Sequence, residues 1–102
     1  MAEISQNYIF AGRSALRISH SKYDCEINDL IAAARDDLRT LGGIKAEKVN
    51  DESDPLIKRA IMTYLKANFG LDNPDSQKYE ASYEAMKKHL MLSSDYKESE
   101  SE

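Results

Sequence analysis

The sequence predicts an all-α fold: a small bundle of three main helices, with a short helix ahead of them and an acidic C-terminal tail. Three observations carry this reading. Apolar residues recur at steps of three and four along three separate segments. Cap and stop residues bound each of those segments. No stretch alternates apolar and polar residues strongly enough to compete as a strand. The 102 residues fit one domain with a thin core. The expected division is a helical domain over 1–92, including an N-terminal arm over 1–20, and a solvated tail over 93–102.

Tyr8, Ile9, Phe10, Leu16 and Ile18 are apolar anchors ahead of the first main helix. A short helix over Asn7–Leu16 fits them, weakened by Gly12, which costs about 1 kcal/mol relative to alanine in a helix interior. Ile4, Tyr8, Ile9 and Phe10 exceed what a three-helix core absorbs. An exposed apolar patch there would imply self-association.

The first main helix is expected over Lys22–Leu41. Ser21 and Asp24 have the spacing of a capping box. Ile27, Leu30, Ile31, Ala34, Leu38 and Leu41 share one face, and Gly42-Gly43 supplies the left-handed stop. A polar connection follows, the longest loop. The second helix is expected over Pro55–Phe69, with Asp54 as N-cap and Pro55 at the first helical position. Leu56, Ile57, Ala60, Ile61, Tyr64, Leu65 and Phe69 cover more than half its circumference, as in the central helix of a bundle. The third helix is expected over Pro74–Leu92, capped by Asn73, with a narrow stripe of Tyr79, Tyr83, Met86 and Leu90. The short link at Gly70–Asn73 makes the second and third helices antiparallel neighbours.

The net charge is −4, and its distribution is uneven. From Ser93 onward Asp95, Glu98, Glu100 and Glu102 oppose Lys97 alone, giving −4 + 1 = −3. The first 22 residues hold Glu3 against Arg13, Arg17 and Lys22, giving +3 − 1 = +2. Unlike ends of this kind suit docking on different partners or on neighbouring copies. The acidic total speaks against a dedicated nucleic-acid binder.

No catalytic constellation is readable, so no enzyme activity and no cofactor are expected. His20 and His89 lack metal-ligand spacing and read as surface histidines. Cys25, the single cysteine, excludes an internal disulfide and reads as a small first-turn residue in a reducing compartment. No apolar run approaches the ~20 residues of a membrane span, and no secretory leader pattern opens the chain. Two surface features remain. Lys58, Arg59 and Lys66 form a basic strip, either a solvated face or phosphate contacts. Tyr79, Tyr83 and Met86 are core packing or a partner face.

The run Asp54-Pro55-Leu56-Ile57-Lys58-Arg59-Ala60-Ile61, continued by Tyr64-Leu65-Lys66-Ala67-Asn68-Phe69-Gly70, resembles phage head–tail connector (adaptor, head-completion) proteins. Leu16-Arg17-Ile18, Ile27–Ala34, Asn73-Pro74-Asp75 and Leu90–Tyr96 extend the resemblance over about Leu16–Tyr96. The resemblance implies a structural adaptor in the neck of a long-tailed bacteriophage. It implies a ring under the portal protein, a dodecamer when assembled and monomeric alone. That ring extends the DNA channel and docks a stopper or tail-completion protein. DNA passes without sequence-specific binding, and no membrane is involved. Location would be the virion neck, with assembly in the host cytoplasm. The candidate docking and self-assembly residues are Tyr8, Ile9, Phe10, Arg13, Arg17, Lys58, Arg59, Lys66, Asp95 and Tyr96. The alternative is a small helical nucleic-acid-binding module using Arg13, Arg17, Lys58, Arg59 and Lys66.

Overall fold

The helix with the widest apolar face lies at the centre. A computed structural model describes residues 3–70 and 73–98 of the chain. Its elements are α1 (Gln6–Ala15), α2 (Asp24–Thr40), α3 (Ala46–Val49), α4 (Pro55–Asn68) and α5 (Ser76–Met91). The fold is all-α, as the periodicity predicts. Helix α4 packs against α1, α2 and α5 and buries Ile57, Ala60, Ile61 and Leu65. Ile27, Ile31, Ala34 and Leu38 of α2 meet it from one side, and Tyr83 and Leu90 of α5 from the other.

Cross-links between elements fix the directions. Ser5 bonds to Glu52, before α4, while Gly12 lies against Leu65 late in α4, so α1 and α4 run parallel. The Ser76 hydroxyl donates to the Ala67 carbonyl at 2.7 Å, so α5 starts where α4 ends. One end of the bundle therefore gathers residues 15–23, 66–70 and 73–79. The opposite end gathers residues 43–54 and the C-terminal segment.

Asp54 caps α4 as expected, accepting from the Leu56 and Ile57 N–H groups at 3.0 Å. The other two expected caps are corrected. Helix α2 begins at Asp24, and its N-cap position, Tyr23, makes no side-chain cap bond. The Asp24 carboxylate instead takes two bonds from the Arg13 guanidinium, at 2.8 and 2.7 Å. A bidentate charge-assisted pair is stronger than a cap to a neutral N–H. Helix α5 begins at Ser76, two residues after Pro74. Asn73 does not cap it: its amide donates to the Lys66 carbonyl at 2.6 Å and its oxygen accepts from the Asp75 N–H at 3.1 Å.

Two glycines are required by contacts or backbone. Gly12 does not weaken α1 by accident, because a Cβ there would stand 2.8 Å from Ile27 Cγ2 and 3.2 Å from Leu65 Cδ1. Gly43 takes the left-handed conformation (φ 65°) beyond α2, as the predicted stop requires. The polar connection after it contains α3, which the periodicity did not signal, and it buries Ile44 and Val49.

The segment after α5 also departs from expectation. Residues 93–98 pack back on the bundle. The Tyr96 carbonyl accepts from Lys45 N–H at 2.8 Å, and the Glu98 N–H donates to the Gly43 carbonyl at 2.7 Å. The Tyr96 hydroxyl donates to Asp54 at 3.0 Å. The acidic positions Glu100 and Glu102 lie outside the described residues.

Candidate functional site

The candidate docking residues divide into buried and surface groups. Tyr8 and Ile9 are 3 % exposed and belong to the core. They cannot serve as an exposed patch, because α1 lies in the groove between α2 and α4 rather than outside a three-helix core. Burial raises the Tyr8 hydroxyl to about 12, partly countered by the nearby Arg35 cation. Ile4 packs partly against the same core. Phe10 is the member of the group left outside, 60 % exposed, with the Arg13 guanidinium 5.8 Å from its ring centroid. Other large exposed apolar residues are Leu41, Leu56 and Leu92.

The basic strip separates into three environments. The Lys58 ammonium lies 5.9 Å from the Tyr8 ring centroid, on the α1 side. Arg59 borders a shallow groove between α4 and α5 with Leu56, Met86, His89 and Leu90. Lys66 lies 5.7 Å from the Tyr79 centroid and shares a pocket with Arg17, Phe69 and Asn73 at the end of the bundle. Arg13 is held by Asp24, and the guanidinium hydrogen bond keeps that carboxyl below its ordinary range. Of these cations, Arg17 and Lys66 line the same pocket, while Arg13, Lys58 and Arg59 lie beside Asp24, Tyr8 and the α4–α5 groove respectively.

Arg17 has a special place in the chain. Helix α1 closes with Arg17 N–H donating to the Ser14 carbonyl and Ile18 N–H donating to the Arg13 carbonyl, at 3.1 and 2.8 Å. These are the two bonds of a Schellman closure, whose turning residue is left-handed and usually glycine. Here that residue is Arg17, at φ 62°.

At the other end, Asp95 is exposed. Tyr96 is half-buried, with the Lys48 ammonium 5.3 Å from its ring centroid. Loss of water and the bond to Asp54 push the Tyr96 hydroxyl pKa up. Arg39 and Glu98 form an exposed pair at 3.7 Å.

The most developed polar cluster was not anticipated. Asp37 accepts from the Tyr83 hydroxyl at 2.6 Å and pairs with the Lys87 ammonium at 2.9 Å, joining α2 to α5. Burial pulls the Lys87 pKa down, but its bonds to Asp37 and Glu84 outweigh this and leave it raised. A signal was available: Asp37 lies three residues from Ala34 and seven from Leu30, in phase with the apolar face, and Tyr83 and Lys87 are one turn apart. This cluster cross-braces two helices and opens onto no cavity lined by other reactive groups. Among the described residues no group of three His, Cys, Asp or Glu side chains gathers to hold a metal ion. No helix among them is long and apolar enough to cross a membrane. His20, His89 and Cys25 are exposed.

Fold and surface together define a small helical protein whose developed features are contact surfaces and cross-braces. A family model described as phage connector protein matches residues 12–97. The chain belongs to that family: it is a phage head–tail connector, a structural class of protein. No curated protein and no solved structure matches the chain.

Proposed function

We propose that this chain forms a ring beneath the portal of a long-tailed phage, extends the DNA channel, and offers a platform to a stopper or tail-completion protein. The ring matches the portal's symmetry as a dodecamer, assembled in the host cytoplasm and carried in the virion neck. The family match over 12–97 carries this reading. The distribution of surface chemistry supports it. Unlike ends suit a heterologous interface, in which one surface of a copy meets a different surface of the next. The acidic total suits a channel wall that does not hold DNA phosphates. Ser5 and Tyr96 both attach near the start of α4, at the end opposite the pocket.

The test is reconstitution with the phage's purified portal protein. Native mass spectrometry should show the chain binding as a complete ring set, and electron microscopy should show an added ring of density. No complex at micromolar concentrations of both proteins would reject the proposal. The nucleic-acid reading needs a continuous cationic surface; salt-sensitive binding to duplex DNA by the free chain would favour it.

A further inference from the structure

We infer that the pocket formed by Arg17, Lys66, Asn73, Phe69 and Tyr79 receives the acidic C-terminal segment of a second copy of this chain. The inference rests on the ring reading and names one of its contacts.

The pocket carries two cations, a side-chain amide and two aromatic rings, and none of its described lining residues is an acid. Neither Arg17 nor Lys66 has an ion-pair partner among the described residues, whereas Arg13, Arg35, Arg39 and Lys87 each have one. Arg17 occupies the left-handed position of its turn, where a non-glycine residue costs about 1 kcal/mol. Glycine would close the same turn at lower cost. The arginine therefore stands against local backbone preference and places a charge at the pocket's edge.

The chain holds the complementary anion. Glu98, Glu100 and Glu102 alternate with serines at the C-terminus. This segment is attached to the far end of the bundle, by the Glu98 bond to Gly43 just beyond α2. The pocket lies beside the start of α2, where Tyr23 meets Phe69 edge-on. The 17 residues of α2 separate the two places by about 25 Å at 1.5 Å per residue. The four residues after Glu98 reach at most about 14 Å. The segment cannot fill the pocket of its own chain. It can fill that of a neighbour whose pocket end faces it, a contact that repeats from copy to copy and closes into a ring when the rotation closes.

The test uses the full chain and a fluorescein-labelled peptide of residues 97–102, followed by anisotropy at low salt. We expect binding that weakens several-fold when ionic strength rises from about 50 to about 300 mM. R17G and the double variant R17E/K66E should each weaken it roughly tenfold. R17G should melt no lower than the parent, because it relieves the left-handed residue; loss of peptide binding in that variant is then not loss of fold. A peptide with glutamine in place of Glu100 and Glu102 should not bind. Absence of binding at low salt, or equal binding by R17G, overturns the inference. So does duplex DNA binding that R17E/K66E removes while the peptide does not bind. Reconstitution with portal separates this contact from the ring itself. Normal rings from R17E/K66E would overturn the pocket contact and keep the ring. Pocket-dependent peptide binding without any ring on the portal would keep the contact and reject the ring.

Discussion

Gly12 shows how a single hydrogen in place of a side chain sets a helix crossing. Alanine would gain about 1 kcal/mol of helix propensity in α1. Its methyl group would press on Ile27 Cγ2 and Leu65 Cδ1, both on fully buried, well-packed side chains. Overpacking of this kind costs about 1–3 kcal/mol. The expected outcome for Gly12→Ala is a net destabilisation of about 1 kcal/mol, seen as a lower urea midpoint with an unchanged slope. Charge at single residues makes a second prediction. Burial raises the Glu52 pKa, but bonds from Ser5 and the pair with Arg35 outweigh it and leave Glu52 below its ordinary 4.5. Asp24, bonded to Arg13, is held below 3.8. Depressed carboxylates contribute stability that is present above their unfolded values and lost as pH falls through their folded ones. Melting temperature should therefore fall as pH drops below about 4.5. Glu52→Gln should melt lower at neutral pH and show a shallower acid decline; an unchanged decline would assign the acid sensitivity elsewhere.

At the level of elements, legibility in the sequence followed the length of the periodic signal. The three long helices announce themselves because each places several apolar residues on one face. Helix α3 has four residues, less than two turns, and offers no period; Ile44 and Val49 read as isolated apolar residues in a polar stretch. The caps misled at Ser21 and Asn73 because local spacing cannot foresee Arg13 or the Lys66 carbonyl as competing partners. The packing of Tyr96, read as a candidate docking residue, on the bundle was invisible for the same reason: its partners, Asp54 and Lys45, are distant in sequence. It changes what truncation should do. Ending the chain after Leu92 removes the Tyr96 bond to Asp54, two backbone bonds and the ring under Lys48. A hydrogen bond to a charged group contributes about 1.5–3 kcal/mol, so the melting temperature should fall by several degrees. Ending it after Glu98 keeps all these contacts and should leave melting unchanged. Equal melting of the two truncations would show that the packed segment contributes nothing to stability.

For the whole molecule, the sequence made the family and the helical class readable, while the contact surfaces were readable only in part. Of the ten candidate docking residues, Tyr8 and Ile9 proved to be core because α1 is a full packing partner of α2 and α4. Phe10 alone of that trio stays outside. The basic strip was read as one surface, yet its members look toward α1, toward α5 and toward the end pocket, because neighbouring elements partition the circumference of α4. The charge asymmetry changes meaning accordingly. Arg13 is paired internally with Asp24, and Arg17 and Lys66 join Lys22 and Lys78 as the outward cations at the pocket end. The molecule extends 47 × 28 × 18 Å, long enough to keep that end apart from the acidic segment.

Ser5 is fastened to Glu52 and Tyr96 to Asp54, two anchor points separated by one residue. The described segments nearest the two ends of the chain are thus anchored on the same side of the bundle. A label fused to either one would mark the same pole of the molecule. In images of an assembled neck, such a label would report which pole points toward the capsid and which toward the tail, and amino-terminal and carboxyl-terminal labels should give the same answer.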